Sequence, residues 1–282
     1  MMDRKSWASV AVLADAVNEY QPSHVFALFS GGHDSLTSTY IASLHPAFSG
    51  VIHCNTGIGI PATTEFVRDT CARHGWPLFE YHARQRNGRP IWEDMCLRLG
   101  MPGGEMAHNS QYHVLKREGL ERAYREHRQG DAAMLFVTGI RKQESGRRMR
   151  GPIAVPTRRD RKIAAIVWVC PNVAWSAIDV SNYMVANGLR RSPVVDRLHR
   201  SGECLCGALA RPEEIKEIDL WYPEVGARIH GIEEECFRRG LPSEWGSRQQ
   251  YMPPAEQMSM ELCQSCETRW DVARSQQRKE RP

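Results

Sequence analysis

The segment His24-Val-Phe-Ala-Leu-Phe-Ser-Gly-Gly-His-Asp-Ser35 decides the fold of this 282-residue chain. Residues 25–29 are an apolar run with the length of a buried strand, and residues 36–44 have a helical pattern. The two glycines between them, Gly31 and Gly32, allow a ligand to approach the backbone closely. The first N–H groups of a helix lack intrahelical partners and lie at the positive end of its dipole, so such a turn binds anions. We expect a phosphate here; an ordinary strand-to-helix turn is the alternative.

Strands and helices alternate along the chain beyond this segment. The further strands are predicted at residues 50–54, 78–82 and 132–139, and the helices at residues 7–20, 62–74, 91–99 and 110–127. Strand–helix–strand units of this length form right-handed crossovers and a parallel sheet. Ligands of such sheets bind at the carboxyl ends of the strands, where Gly31 and Gly57 are expected. We therefore predict a three-layer α/β/α fold with a helical, cysteine-rich extension at its C-terminus.

The composition indicates a globular protein. Hydrophobic residues make up 41% of the chain and charged residues 25%, which is enough apolar material for a full core. No apolar run approaches the roughly 18 residues that cross a bilayer, and no secretory signal follows Met1. A membrane protein is thereby disfavoured and a cytoplasmic location is predicted. Of 37 basic residues 31 are arginine, whose planar fork suits phosphate and sulfate, although a GC-rich genome would give the same bias.

A strongly basic segment begins at the end of the last predicted strand. Residues 141–162 hold nine basic and two acidic residues, a local charge of +7. The segment contains the pattern Thr138-Gly139-Ile-Arg141-Lys-Gln-Glu144-Ser145-Gly-Arg147-Arg148. Its start at the ligand edge of the sheet favours a role in anion binding, and a solvated basic loop is the alternative.

Nine cysteines in a chain expected in the cytosol argue against a disulfide framework. Four of them form two close pairs, Cys204-Leu-Cys206 and Cys263-Gln-Ser-Cys266, on either side of helices predicted at residues 212–227 and 229–239. Four thiolates are the donor set of tetrahedral zinc or of an iron–sulfur cluster, and the spacing does not choose between them. We predict a metal bound by these four cysteines; four unbound thiols are the alternative. Cys54, within an apolar strand, is expected to be a buried bystander.

The glycine turn resembles the PP-loop of the ATP pyrophosphatase superfamily, whose signature is Ser-Gly-Gly-X-Asp-Ser. It differs from the Walker loop, because no Gly-Lys-Ser/Thr follows. The matching residues are Ser30, Gly31, Gly32, Asp34 and Ser35, while His33 stands where many members carry Lys. The resemblance implies that these six residues bind the phosphates of ATP, or the phosphate or sulfate groups of an adenylyl nucleotide, and that Asp34 is catalytic.

Three further motifs resemble phosphoadenosine phosphosulfate (PAPS) reductases and their relatives. The Thr138–Arg148 pattern is similar to the second motif of that family, and Thr56-Gly57 is similar to its Asp-Thr-Gly segment, with Asn55 in place of the Asp. Residues 175–183 and 192–196 resemble its tryptophan–aspartate–valine helix and the loop that follows. The resemblance spans roughly residues 20–210. It implies that Arg141 is catalytic and that the nucleotide also contacts Thr56, Gly57, Gly139, Glu144, Ser145, Arg147 and Arg148.

The resemblance implies an enzyme that binds ATP, PAPS or adenylyl sulfate and acts in sulfur transfer. With ATP, an acceptor would be adenylated and pyrophosphate released into the loop, with Mg²⁺ offsetting the charge. The acceptor would be a nucleic acid, as in DNA phosphorothioation or tRNA thiolation, and a sulfur donor or reductant protein would be a partner. Relatives in sulfur metabolism favour a [4Fe-4S] cluster over Zn²⁺ at the four cysteines.

Two departures from the reductase pattern keep other functions open. The adjacent Cys-Cys pair of the adenylyl sulfate reductases and the Glu-Cys-Gly segment of the assimilatory enzymes are both absent from this sequence. Sulfonucleotide reduction would then need a cysteine from the segment 204–266, and a non-catalytic nucleotide- or nucleic-acid-binding protein is the third alternative. We predict a nucleotide-binding domain at residues 1–200, a cysteine-rich metal extension at 201–275 and a disordered tail at 276–282.

Overall fold

The computed structural model describes residues 4–144 and 155–246. Its strands are β1 (His24–Leu28), β2 (Phe48–Asn55), β3 (Leu78–His82), β4 (Gln85–Arg86), β5 (Arg89–Pro90), β6 (Met134–Val137), β7 (Thr157–Arg159) and β8 (Ile166–Val169). Its helices are α1 (Arg4–Tyr20), α2 (His33–Ser43), α3 (Pro61–His74), α4 (Ile91–Leu99), α5 (Gly104–Tyr112), α6 (Glu118–His127), α7 (Ala177–Ala186), α8 (Pro193–Leu198), α9 (Glu214–Trp221) and α10 (Pro223–Arg238). A π-helical turn, His113–Arg117, joins α5 to α6, and a 3₁₀ turn covers Lys142–Glu144.

The main sheet has six strands in the order β3-β2-β1-β6-β8-β7. The first five are parallel, and β7 lies antiparallel to β8 at the edge. The strand order reverses between β1 and β6, the position at which parallel sheets open a crevice for ligands. The predicted parallel α/β sheet is confirmed.

Alternate side chains of the central strand pack on opposite faces of the sheet. Val25 and Ala27 lie in one buried cluster with Leu13 of α1, whereas Phe26 lies in another with Leu120 of α6. Helices therefore cover both faces, and the three-layer arrangement is confirmed. Strands buried on both faces are continuous apolar runs, which is the reason four of the five parallel strands were predicted from the sequence; β8 was not.

A further buried cluster joins the C-terminal helices to the rest of the chain. Ile60 and Trp92 pack there with Ile218 of α9 and with Trp245. The C-terminal helices thus share a core with residues that precede position 200. The boundary at residue 200 stays a prediction, and most of the predicted 201–275 extension beyond residue 246, together with the 276–282 tail, lies outside the described residues.

Several elements differ from the sequence-based expectation. The helix predicted at 110–127 begins at Gly104 instead, because residues 105–109 contain no helix breaker, and it includes the π turn. The break predicted near residue 228 lies at Tyr222, because Pro223 occupies the first turn of α10, where its missing N–H is harmless. Within the described ranges, none of the helices is long and apolar enough to reach across a lipid bilayer.

Candidate functional site

The glycine turn between β1 and α2 has the geometry that an anion requires. Gly31 has a φ of +78°, and a Cβ there would lie 2.5 Å from Cγ2 of Thr63, so both conformation and space demand glycine. Helix α2 begins at His33 without a side-chain cap on its first N–H groups. These amides lie at the positive end of the helix and are available to a ligand.

Ser35 fixes the shape of this turn. Its hydroxyl donates to the carbonyl oxygen of Gly32 (2.9 Å) and accepts from the backbone N–H (3.3 Å) and the hydroxyl (3.1 Å) of Ser30. The two serines of the signature therefore hold the loop in its curved form before any ligand arrives. Such pre-organisation lowers the entropy that ordering the loop would cost on binding.

The two predicted catalytic residues lie together. Nε of Arg141 is 2.8 Å from Oδ1 of Asp34, and only 8% of Arg141 is exposed. A Cβ on Gly139 would lie 2.5 Å from the carbonyl carbon of Asp34, so the segment after β6 is packed directly against the loop. Asn172 adds a hydrogen bond from its amide to the backbone oxygen of Asp34 (3.2 Å). The carboxyl ends of β1 and β6 therefore bring Asp34, Gly139 and Arg141 into one site.

His33 makes a contact within the protein that a lysine could not make, and its predicted contact with the nucleotide stays a prediction. Its Nε2 accepts the backbone N–H of Ser192 (3.1 Å), which places the ring proton on Nδ1. Burial, with the nearby charge of Arg191, lowers the pKa of His33 to about 4. His33 is consequently neutral near pH 7 and links the loop to the start of α8.

Thr56 and Gly57 are engaged with other parts of the protein. The Thr56 N–H donates to Oε1 of Glu203 (3.0 Å), and its hydroxyl donates to the Glu203 backbone oxygen (2.6 Å). The Gly57 N–H donates to Oδ1 of Asn55 (2.9 Å), and its carbonyl accepts from Nη1 of Arg228 (2.8 Å). Both residues lie outside the lining of the main cavity. This turn supports the segment that carries Cys204, and a nucleotide contact through it stays a prediction.

Cys204 and Cys206 lie side by side on a wall of the cavity. The hydrogen bond between their thiols raises the pKa of Cys204 and lowers the pKa of Cys206, and a hydrogen bond with His108 lowers the latter further. Cys54, expected to be a bystander, lines the same cavity. Within residues 4–144 and 155–246, no three side chains form a metal-binding group. Of the predicted ligands, Cys263 and Cys266 lie outside the described residues, as do Ser145, Arg147 and Arg148 of the nucleotide set.

The cavity itself has a volume of about 1820 Å³ and lies at the carboxyl ends of β1 and β6. Ordinary ligand pockets measure about 300–1,000 Å³, so it has room for a nucleotide and a second reactant. Its lining includes the glycine turn, the segment 138–141 and the paired cysteines. Basic side chains line it as well, namely Lys116, Arg117, Arg141, Arg158, Arg159, Arg161, Lys162, Arg191 and Arg200.

The sequence reasoning missed Lys116, Arg200 and Glu203. Nζ of Lys116 is 2.6 Å from Oε2 of Glu203, whose side chain is only 3% exposed. Lys116 belongs to the π-helical turn, a feature often found at functional sites. Arg200 and Glu203 are adjacent in sequence to the cysteine pair, but this adjacency does not indicate where their segment lies relative to the glycine turn.

Solved structures with similar folds include three nucleotide enzymes. PAPS reductase from Candida auris, in complex with phosphate, is 20% identical; the match covers 67% of this chain and 84% of that one, with a TM-score of 0.49. FMN adenylyltransferase from Candida glabrata, with FMN and the ATP analogue AMPCPP, is 11% identical over 69% of this chain and 60% of its own, with a TM-score of 0.49. Yeast FAD synthetase in complex with FAD is 12% identical over 88% and 89% of the two chains, with a TM-score of 0.43.

No curated protein matches the sequence significantly. The sequence model of the phosphoadenosine phosphosulfate reductase domain, in contrast, matches residues 24–227, which is most of the chain. The matched range begins with β1 and includes the glycine turn, the segment with Arg141 and the cysteine pair. The chain therefore belongs to the phosphoadenosine phosphosulfate reductase domain family, a nucleotide-binding PP-loop family.

Proposed function

We propose that this protein is an enzyme that binds ATP or an adenylyl sulfonucleotide on the Ser30–Ser35 loop and acts in sulfur transfer. The observation that supports it most is the combination of features in one cavity. The pre-formed glycine turn, the Asp34–Arg141 ion pair and two adjacent thiols all line the same space of about 1820 Å³. This arrangement supports a single site for phosphate and sulfur chemistry.

With ATP, the proposed reaction is adenylation of an acceptor. An oxygen of the acceptor attacks the α-phosphorus, the bond from that phosphorus to the bridging oxygen breaks, and pyrophosphate leaves into the loop. The amides at the start of α2 and the guanidinium of Arg141 would stabilise the developing negative charge. Mg²⁺ would offset further charge on the phosphates. The terminal sulfur of a donor protein's persulfide would then attack the adenylated atom of the acceptor, whose bond to the activated oxygen breaks and releases AMP. A second thiol would cleave the resulting disulfide and leave the sulfur on the acceptor.

A nucleic acid is the acceptor that we propose. Arg158, Arg161 and Lys162 follow one another on β7 and the next turn, and all line the cavity. Asp160 lies among them, but its carboxylate is bonded to Arg117 at 2.6 and 2.9 Å, so the outward-facing charge of this segment is positive. A phosphodiester backbone is the common biological ligand of such a segment.

The four cysteines are proposed to hold a [4Fe-4S] cluster, with Zn²⁺ as the alternative. The adjacent thiols of Cys204 and Cys206 fit half of such a donor set. Cys263 and Cys266 would supply the other half. When bound, a cluster would add electron transfer next to the nucleotide, whereas zinc would be structural. Iron, sulfide and zinc analysis of anaerobically purified protein decides between the two.

Sulfonucleotide reduction is the second candidate, because the thiol pair lies in the nucleotide cavity. The Cys206 thiolate would attack the sulfur, the sulfur–oxygen bond would break, and the adenylyl phosphate would leave. Cys204 would then attack the resulting thiosulfonate, which releases sulfite as the two cysteines form a disulfide. An external dithiol would reduce that disulfide for the next turnover.

The test measures pyrophosphate release from ATP, with tRNA or DNA as acceptor, and sulfite release from PAPS and adenylyl sulfate with a dithiol. Asp34→Asn should abolish the activity that wild type shows, whereas Asp131→Asn, an exposed acid outside the cavity, should not. Pyrophosphate release supports adenylation and sulfite release supports reduction. A protein that releases neither product but shifts nucleic acid on a gel would be a binding protein without turnover.

A further inference from the structure

Tyr112 is an exposed aromatic residue inside the main cavity. Of the large hydrophobic side chains that are exposed in the described part of the chain, Tyr112 is the one that lines this cavity. The residue is 40% exposed, and its ring has no stacking partner among the residues that the structure describes. An accessible aromatic face is a surface on which a nucleobase can stack, because every base has a π face.

The side of the helix that carries Tyr112 also carries two basic residues. Tyr112 ends α5, and Lys116 and Arg117 follow in the π turn, whose i to i+5 bonds place residues four and five positions apart on one side. All three line the cavity. Lys116 contacts Glu203 at 2.6 Å, next to the cysteine pair. Arg117 contacts Asp160 of the basic segment, also at 2.6 Å, so Tyr112 lies between the cysteine pair and the basic segment.

The charges around Tyr112 suit a nucleic-acid backbone. Burial raises the pKa of its hydroxyl, and Arg117, Lys116 and Arg158 act in the opposite direction. Arg158 belongs to β7, so the segment that would bind phosphodiesters is close enough to act on the tyrosine. Asn109, one turn earlier on α5, is exposed, lines the same cavity and offers a donor and an acceptor to a base edge. Sites for single strands combine these parts, namely an aromatic platform and a basic groove.

Tyr112 and the glycine turn approach the cavity from opposite faces of the sheet. Helix α2, which begins at the glycine turn, packs through Ala42 in the buried cluster that contains Val25. The π turn continues into α6, whose Leu120 packs with Phe26 on the other face. The ring is therefore on the side of the cavity that a second reactant would use when a nucleotide occupies the loop.

We infer that Tyr112 stacks on an unpaired base of the nucleic-acid acceptor, while the basic side chains on and after β7 bind its backbone. This inference rests on the proposed function, from which it takes the nucleic acid as acceptor. It adds that the acceptor is single-stranded where it binds. The bases of a duplex are stacked on one another, so a duplex would reach the ring only by unstacking a base, which costs free energy.

The experiment is fluorescence anisotropy of the full chain with short labelled single strands of RNA and of DNA, with their duplexes, and with a strand of abasic deoxynucleotides. Tyr112→Ala should weaken the binding of single strands by about 10- to 100-fold, the range for loss of one base–aromatic stack, and leave the duplexes and the abasic strand unchanged. Tyr112→Phe keeps the ring and should bind as wild type does. The control is Trp7→Ala, which removes an exposed ring of α1 outside the cavity and should also bind as wild type does.

The two kinds of strand identify the acceptor further. A loss confined to RNA or to DNA assigns the ring to that nucleic acid, and either result supports the inference. Unchanged single-strand binding in Tyr112→Ala would overturn the inference alone, and if ATP affinity fell in the same variant, the ring would belong to the adenine site. Equal losses for single and abasic strands would overturn it too, because they would show an effect on the fold, as would a wild type that binds duplexes but not single strands. Failure of wild type to bind any nucleic acid would overturn the proposed acceptor and this inference with it.

Discussion

The ion pair of Arg117 with Asp160 gives the sharpest stability prediction. The side chains are only 9% and 7% exposed, and Nη1 and Nη2 of the arginine contact both carboxylate oxygens at 2.6 and 2.9 Å. The indole N–H of Trp168 donates to the same carboxylate at 2.9 Å, and so does the backbone N–H of Lys162. The carboxylate therefore joins the end of the π turn to the basic segment on the edge of the sheet.

The expected cost of Asp160→Asn follows from these contacts. Loss of one partner from a buried ion pair destabilises a protein by about 3–5 kcal/mol, because the remaining charge is left uncompensated. Here Arg117 keeps a second contact, with Glu121 at 2.8 Å, so we expect a value near 3 kcal/mol, at the low end of that range. Urea denaturation of wild type and Asp160→Asn measures the difference. Glu235→Gln, in surface ion pairs with Arg238 and Arg239, is the control and should leave the denaturation midpoint nearly unchanged.

The same residue predicts a pH dependence. Burial alone would raise the pKa of Asp160, but the hydrogen bonds from Arg117 and its other donors hold that pKa well below its usual range. The unfolded chain, with an Asp pKa near 3.9, therefore binds more protons than the folded chain below about pH 5. The contribution of Asp160 is fully present above that pH and is lost as the pH falls towards the folded pKa. Equal losses of unfolding free energy in Asp160→Asn and in the Glu235→Gln control would refute this explanation. An Asp160→Asn variant whose stability falls with acid pH as steeply as that of wild type would refute it as well.

Three further predictions test the loop and the cysteine segment. Gly139→Ala should lower the free energy of unfolding by about 1–3 kcal/mol and weaken ATP binding, because the new Cβ would lie 2.5 Å from the loop backbone. Gly231→Ala, where a Cβ has open space, is the control in both assays. In wild type the free energy of unfolding should rise between about pH 4 and 6.5, because the unfolded chain binds a proton there that the folded His33 excludes. His33→Gln should remove this rise in urea titrations at each pH, and an unchanged slope would contradict this. Lys116→Met should lower the free energy of unfolding by about 3 kcal/mol, because it leaves Glu203 unpaired. Adding Glu203→Gln to that variant should restore most of the loss, and simple additivity of the two effects would contradict the prediction.

The sequence was sufficient for four of the five parallel strands and for the glycine turn, because local patterns indicate those features, whereas β8 (Ile166–Val169) was not predicted. Apolar runs, helix breaks and the turn itself occupy a few consecutive residues each, and β3 and α4 were predicted with the bounds that the structure has. The meeting of Asp34 with Arg141 also follows from topology, since the carboxyl ends of neighbouring parallel strands share one edge. The contact can be predicted from the order of the strands, without any detail of side-chain packing, although the two residues are far apart in the chain.

The rest of the site depends on contacts that no local pattern encodes. Glu203 reaches Thr56 across 147 positions, and this contact decides that the turn after β2 supports the cysteine segment. The edge strand β7 lies inside the basic segment 141–162, where charge concealed the strand pattern. Charged side chains are compatible with an edge strand, because they hinder a further strand from pairing with its open edge.

Asn55 and His33 stand where the family signature has Asp and often Lys, and each makes a hydrogen bond that the signature residue could not make. Asn55 donates its amide to Glu80 at 2.8 Å while its oxygen accepts from Gly57; an aspartate could not donate, and it would repel the glutamate. His33 accepts a backbone N–H at 3.1 Å, which the ammonium of a lysine cannot do. Asn55 therefore replaces a carboxylate by a group that both donates and accepts hydrogen bonds, and His33 replaces an ammonium by a group that accepts one. The positive charge near the loop is then supplied by Arg141, whose guanidinium is a rigid fork. A loop that binds its anion through such a fork should discriminate tetrahedral oxyanions by geometry more strongly than one that relies on a flexible lysine.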